Sequence, residues 1–231
     1  MIISHKYNYI FFKPAKVAGT SIEVALASKR GKDDIITPLS DFDNSPQNYF
    51  GFYNHIEPKK VKKRIKKSVW DNYFKFTVVR NPWDLVVSRY WWERSLFEKK
   101  NDNKSFDPLE IIVKVFELDT YKRRLDAGVD VSSFDAFLQT FPERFKNTRY
   151  YFDSNGSCFA DYYIRYENLH DGFRDVTERL GLGSIALPKF KVSQRKTPKH
   201  YSEYYNEDSR QLVRKMFQQE VDFFGYKYEN N

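Results

Sequence analysis

Cysteine is nearly missing from this chain: Cys158 is the only one among 231 residues. A lone cysteine excludes an intrachain disulfide and fits a reducing compartment. With only four histidines beside it, there is no Cys-x-x-Cys pair and no His-Glu-x-x-His, so no metal is expected. Long apolar runs are missing too. No stretch reaches the length of a membrane span, and Met1 to Lys6 has no apolar region of signal-peptide length. The expectation is a soluble, cytoplasmic protein with no membrane partner. Internal repeats and a dividing linker are also absent, so a single domain over 1–231 is expected. No recognised RNA- or DNA-binding motif occurs.

Cations and aromatics are what the chain has in excess. Lys and Arg number 39 against 31 Asp and Glu, so the formal charge is 39 − 31 = +8. That balance suits anionic ligands and says nothing about fold. Aromatic residues make up 18%. The organising stretch is Tyr9 to Glu23. Tyr9–Phe12 is an aromatic and β-branched run that predicts a buried strand. Pro14 to Gly19 predicts a turn. Thr20 or Ser21 then starts a helix carrying Ile22, Val24, Ala25 and Leu26. A strand, a tight turn and a helix N-terminus form an anion site, because the unbonded N–H groups of the first turn and the macrodipole both favour negative charge. Lys16 adds a full positive charge, and Thr20 and Ser21 add hydroxyl donors. A Walker A loop is excluded: the lysine precedes Gly19 by three positions, and no glycine opens the turn.

A second strand, Phe74–Val79, runs into Arg80-Asn81-Pro82-Trp83-Asp84 and a helix through Trp92. Arg80 then lies at the carboxyl edge of a strand, where α/β sheets bind ligands. Ser88 follows about two turns into the helix. A third strand, Asp161–Tyr166, enters Glu167-Asn168-Leu169 and a helix that stops at Gly181.

Together these segments resemble the sulfotransferases that use 3′-phosphoadenosine 5′-phosphosulfate, in particular the carbohydrate-type branch that includes the uronyl 2-O-sulfotransferases. Lys16-Val17-Ala18-Gly19-Thr20-Ser21 is similar to that branch's 5′-phosphosulfate loop, Pro-Lys-Thr-Ala-Gly-Thr-Ser. It departs at Ala15, where the family has Pro, and at Val17, where Thr is common. Arg-Asn-Pro-x-Asp-x-x-x-Ser from Arg80 to Ser88 resembles the 3′-phosphate motif. Ile164-Arg165-Tyr166-Glu167-Asn168-Leu169 resembles a third landmark, for which no catalytic role is taken over. The resemblance implies an α/β fold with a central, mostly parallel sheet and helices on both faces. It implies sulfuryl transfer to a hydroxyl acceptor, with a glycan as the first expectation and a small alcohol or a peptide tyrosine as others. Lys16, with the loop residues Val17, Ala18, Gly19, Thr20 and Ser21, would hold the 5′-phosphosulfate. Arg80 and Ser88 would hold the 3′-phosphate. His55 would be the base toward the acceptor, and Arg195 and Lys196 would lie in a segment that folds over the nucleotide. Adenosine 3′,5′-bisphosphate would be the product, with no metal involved. Family members of the secretory pathway carry a membrane anchor, and this chain shows none.

The remaining segments carry weaker expectations. Residues 31–50 read as a loop. Lys59 to Lys67 holds seven Lys or Arg, with Val61 and Ile65 one turn apart, and reads as one basic helix. It is either a solvated face or a landing surface for an acidic acceptor. Residues 93–160 are a variable, acceptor-side region, with a helix over Pro108–Asp119, a capped helix after Ser132 or Ser133, and a hairpin around Asn155-Gly156. Asn206–Tyr226 reads as one closing helix. Two rival functions are weighed. A P-loop nucleotide kinase lacks its Gly-Lys-Ser/Thr, and the strand before residue 80 ends in Arg where a Mg²⁺-binding Asp belongs. A basic nucleic-acid-binding protein has the charge but not the motif, and the charge falls in separate clusters.

Overall fold

Short aromatic and β-branched runs make the sheet, because such side chains pack well on a pleated surface. The computed structural model describes residues 1–37, 51–99, 126, 128–188 and 199–230. Five strands form one sheet: β1 (Ile2–Ser4), β2 (Tyr9–Phe11), β3 (Ile35–Ile36), β4 (Phe74–Val79) and β5 (Tyr162–Arg165), in the order β3-β1-β2-β4-β5. The strands that precede Lys16, Arg80 and Tyr166 are parallel neighbours, with Phe11 opposite Phe76 and Val79 opposite Arg165. β1 and β3 add an antiparallel edge. The chain thus has an α/β fold whose consecutive parallel strands all end at the same side.

Residues 1–80 and 147–192 form one compact unit, and 81–146 with 193–231 form another. In the first, Ile3, Ile10 and Phe12 sit on one face of the sheet and bury against Phe52, Ile56, Val61, Trp70 and Phe159. Phe12 is fully buried; removing a side chain of that size from water is worth about 1.5–3 kcal/mol. Alternate residues build an aromatic ladder, in which Phe11 stacks on Phe76 at 5.1 Å and Phe74 on Phe76 at 5.8 Å. This unit also holds helices α1 (Gly19–Ala27), α2 (Pro58–Lys62) and α3 (Lys67–Asn72).

The second unit is built on α4 (Pro82–Lys99), with α5 (Phe134–Gln139). Pro82 opens α4 because a first-turn residue needs no N–H partner. Asn81 caps it: its side-chain oxygen accepts from Trp83 N–H at 3.1 Å. Ser133 caps α5 by accepting from Ala136 N–H at 3.0 Å. Tyr90, Phe134, Phe137, Phe141 and Phe145 pack edge to face or tilted around α5. Two further helices of the first unit are α6 (Thr148–Tyr151) and α7 (Leu169–Arg179), and the chain closes in the second unit with α8 (Glu207–Met216) and α9 (Gln218–Phe224).

Several sequence expectations need correction. Of the loop expected at 31–50, Ile35–Ile36 forms the edge strand β3 and residues 38–50 lie outside the described residues, and the basic 59–67 helix is two short helices with a break at Lys66, whose ψ is 141°. Like charges spaced four apart, such as Lys59/Lys63 and Lys62/Lys66, oppose one continuous helix. The 149–166 hairpin reduces to a single Phe152–Cys158 bridge, because Thr148–Tyr151 is helical. The closing helix breaks at Phe217, which turns inward and is 1% exposed. α1 starts at Gly19, one residue before Thr20, behind a left-handed Ala18. The Pro108–Asp119 helix, Arg195 and Lys196 lie outside the described residues.

Candidate functional site

The loop between β2 and α1 is held at its entry by β4 and by a buried ion pair with α1. Phe12 is fixed on β4 from both sides: its N–H donates to Phe76 C=O at 3.0 Å, and its C=O accepts from Thr77 Oγ1 at 3.0 Å. The Lys13 side chain is 1% exposed and runs inward, and its Nζ meets Glu23 Oε2 of α1 at 2.5 Å. Burying that lysine is tolerable only because it is paired and hydrogen-bonded. Gly19 lies against this side chain. A Cβ added there would stand 2.6 Å from Lys13 Cγ. The glycine is therefore required by close approach, since its φ is not positive.

Non-glycine residues with positive φ are rare. Among the described residues they are Asn8, Lys16, Ala18 and His55, at φ 54°, 63°, 58° and 57°. Asn8 sits in the β1–β2 turn, where asparagine tolerates the conformation. The other three belong to the predicted site. A left-handed residue costs roughly 1–2 kcal/mol, and such strain persists where the surroundings impose it, commonly at functional sites. In the loop, left-handed Lys16 and Ala18 flank Val17, whose φ is not positive; alternation of that kind is how successive backbone N–H groups come to form an anion nest. Ala18 C=O accepts from Ser21 N–H at 3.0 Å and Ile22 N–H at 3.3 Å, starting α1.

Three carbonyls of this loop receive side chains from elsewhere. His55 Nδ1 lies 2.8 Å from Lys13 C=O. A carbonyl can only accept, so Nδ1 carries a proton, and in the neutral ring Nε2 carries the lone pair. Asn147 Nδ2 donates to Ala15 C=O at 2.9 Å, and its Oδ1 accepts from Ala15 N–H at 3.3 Å. Arg80 Nη1 donates to Lys16 C=O at 2.6 Å. The guanidinium also lies over the Tyr166 ring, 3.9 Å from its centroid. Arg80 follows β4, and Tyr166 follows β5.

The structure thus gathers Lys16, Val17, Ala18, Gly19, Thr20, Ser21, His55 and Arg80 around one loop. Lys16, Thr20, His55 and Arg80 are half-buried, and Val17, Gly19 and Ser21 are buried. Ser88 is half-buried on α4 in the second unit, two turns after Pro82. Lys13, Asn147, Tyr150 and Tyr166 were not singled out as site residues from sequence. Nothing local distinguishes Lys13 from the chain's other lysines, and no motif surrounds Asn147 or Tyr150. The Tyr166 segment was legible as a landmark, although its stacking on Arg80 was not. Among the described residues no group of three His, Cys, Asp or Glu could hold a metal ion, and no helix is long and apolar enough to cross a membrane.

No curated protein and no solved structure matches the chain. The model of one protein family, described as the sulfotransferase family, matches residues 1–227. That match takes in both compact units, the loop before α1, and the ends of β4 and β5. The chain belongs to the sulfotransferase family.

Proposed function

We propose that this protein transfers a sulfuryl group from 3′-phosphoadenosine 5′-phosphosulfate to a hydroxyl of a carbohydrate. The observation that carries this reading is the strained loop that ties a charged lysine, a tautomer-fixed histidine and a stacked arginine together. The donor supplies an activated sulfuryl group and a phosphate leaving group. Lys16, the N–H groups of Val17 to Thr20 and the hydroxyls of Thr20 and Ser21 bind the 5′ end and meet the negative charge that grows on the leaving oxygen. Arg80 binds the 3′-phosphate, for which its planar fork is suited, and Ser88 is its expected companion. His55 Nε2 takes the proton of the attacking hydroxyl. The S–O bond to the acceptor forms as the S–O bond to the 5′-phosphate breaks. The products are a sulfated acceptor, adenosine 3′,5′-bisphosphate and protonated His55. As in phosphoryl transfer, the protein contributes position and charge rather than covalent chemistry.

The exposed cations at 59, 60, 62, 63, 64, 66 and 67 follow His55 closely in the chain, which supports an anionic glycan as acceptor. Two measurements test the reading. A sulfur-labelled donor offered with a panel of glycans and small alcohols should label a glycan. Adenosine 3′,5′-bisphosphate at one hundred times its Kd should stabilise the protein by roughly 2.7 kcal/mol, and adenosine 5′-monophosphate by much less. Equal shifts from the two nucleotides would remove Arg80 and Ser88 from the 3′-phosphate.

A further inference from the structure

One short helix touches both strained parts of the site, and no motif announces it. Asn147, just before α6, is 1% exposed and makes the two-way amide contact with Ala15, the residue before left-handed Lys16. Tyr150 is 2% exposed, and its hydroxyl donates to the backbone C=O of left-handed His55 at 2.5 Å. Between them, Arg149 pairs with Glu57 at 3.2 Å, two residues beyond His55. The next residue, Tyr151, donates to Val78 C=O at 3.1 Å and so moors the helix to β4. A left-handed backbone at a non-glycine residue relaxes unless it is held from outside; beside the Arg80 contact with Lys16 C=O, this one segment holds the backbone at both places.

We propose that Asn147 and Tyr150 are the positioning residues of the site. Asn147 sets the loop that carries Lys16, and Tyr150 sets the backbone that carries His55. Neither touches the reacting atoms. Asn147 occupies the amide and the carbonyl of Ala15 as a neighbouring strand would. Its contact fixes the peptide leading into Lys16, and so the direction of the lysine and of the following N–H groups. The hydroxyl of Tyr150 fixes the peptide after His55, which keeps Nδ1 on the Lys13 carbonyl and so fixes the tautomer. The catalytic part of this inference rests on the sulfuryl-transfer reading; the structural part does not.

The test uses the whole chain and two single-residue variants. Tyr150→Phe removes one hydroxyl. Its kcat should fall roughly 10–100-fold, the scale of a misplaced catalytic group, while the Kd for adenosine 3′,5′-bisphosphate stays at the wild-type value. Nitrogen-15 spectra of the imidazoles, with His55 assigned by His55→Ala, should show the Nδ1–H tautomer in the wild type. In Tyr150→Phe this fixed tautomer should be lost. Asn147→Ala, which removes both hydrogen bonds to Ala15, should instead weaken bisphosphate binding by about tenfold, or about 1.4 kcal/mol, within the net worth of two such bonds. An unchanged His55 tautomer in folded Tyr150→Phe overturns the proposal, whatever Asn147→Ala does. A wild type that shows the fixed tautomer but neither binds the bisphosphate nor transfers sulfur refutes the functional reading and leaves the positioning of His55 standing or falling on the spectra.

Discussion

At the scale of single residues, chemistry and binding separate. A hydroxyl attacking sulfur must lose its proton as the bond forms, and a positioned base contributes typically 10²–10⁴ in rate. His55→Ala should lower kcat by about that factor and leave the bisphosphate thermal shift near wild type. Activity should rise with pH along a one-proton limb, because only the neutral ring offers Nε2, and that limb should vanish in His55→Ala. A wild-type kcat with a normal limb in the variant would move the base elsewhere. Arg80→Ala should show the reverse pattern, with affinity for the donor lost first. Lys16→Ala should injure both, since one charge binds the ground state and meets the leaving group. Gly19 tests the packing beneath. Its missing Cβ faces Lys13 Cγ at 2.6 Å, and that atom belongs to a buried side chain fixed at its far end by Glu23. Gly19→Ala should cost about 1–3 kcal/mol, the usual range for overpacking, read as a lower midpoint in urea. A variant as stable as the wild type would mean that Lys13 can leave its pair at little cost.

At the scale of elements, close approach again outweighs propensity. Gly172 lies inside α7, where alanine would gain about 1 kcal/mol as the better helix former. A Cβ there would stand 2.8 Å from Ile164 Cγ2 of β5, and Ile164 is fully buried. Overpacking costs typically 1–3 kcal/mol, so Gly172→Ala should be net destabilising by roughly 0–2 kcal/mol. An increase in melting temperature would show that α7 can ride up on the sheet. What the sequence made legible follows the same division between local and distant causes. The strand–turn–helix at Tyr9–Ala27, the Arg80-Asn81-Pro82 junction and the Ser133 cap are decided by neighbours in the chain, and each was readable. The hold of Asn147 on Ala15 spans 132 residues, and that of Tyr150 on His55 spans 95. No local pattern encodes such pairs. The break at Phe217 was hidden for another reason. Val213, Phe217 and Val221 keep the four-residue spacing of one helical face and are all buried, so the apolar period runs straight through the interruption. At Lys59–Lys67 the apolar spacing of Val61 and Ile65 suggested one helix, and the repulsion among seven cations was the contrary signal.

At the scale of the whole molecule, the question is whether the +8 charge guides an acceptor or is only a solvated surface. Much of the excess is concentrated in the exposed cations of Lys59–Lys67, and several are already engaged. Lys67 pairs with Asp71, Lys60 meets Tyr53 Oη at 3.0 Å, Arg64 donates to Gly51 C=O at 2.7 Å, and Lys62 lies 5.4 Å from the Trp70 ring. These contacts are surface contacts worth little individually, so they do not remove the field that the cluster projects. Replacing Lys62, Lys63, Lys66 and Lys67 with Ser lowers the formal charge from +8 to +4 and spares Val61, Ile65 and Trp70, which anchor the segment to the core. The bisphosphate Kd should therefore be unchanged. For an anionic glycan, kcat/KM should fall through KM. Its decline with added salt should also flatten, because exposed charges act only within a Debye length, about 8 Å at physiological ionic strength. A neutral acceptor gives the internal control, since its KM should not move. If the anionic acceptor keeps both its KM and its salt dependence in the four-fold variant, the cluster is a solvated face, and recognition of the acceptor must come from other residues.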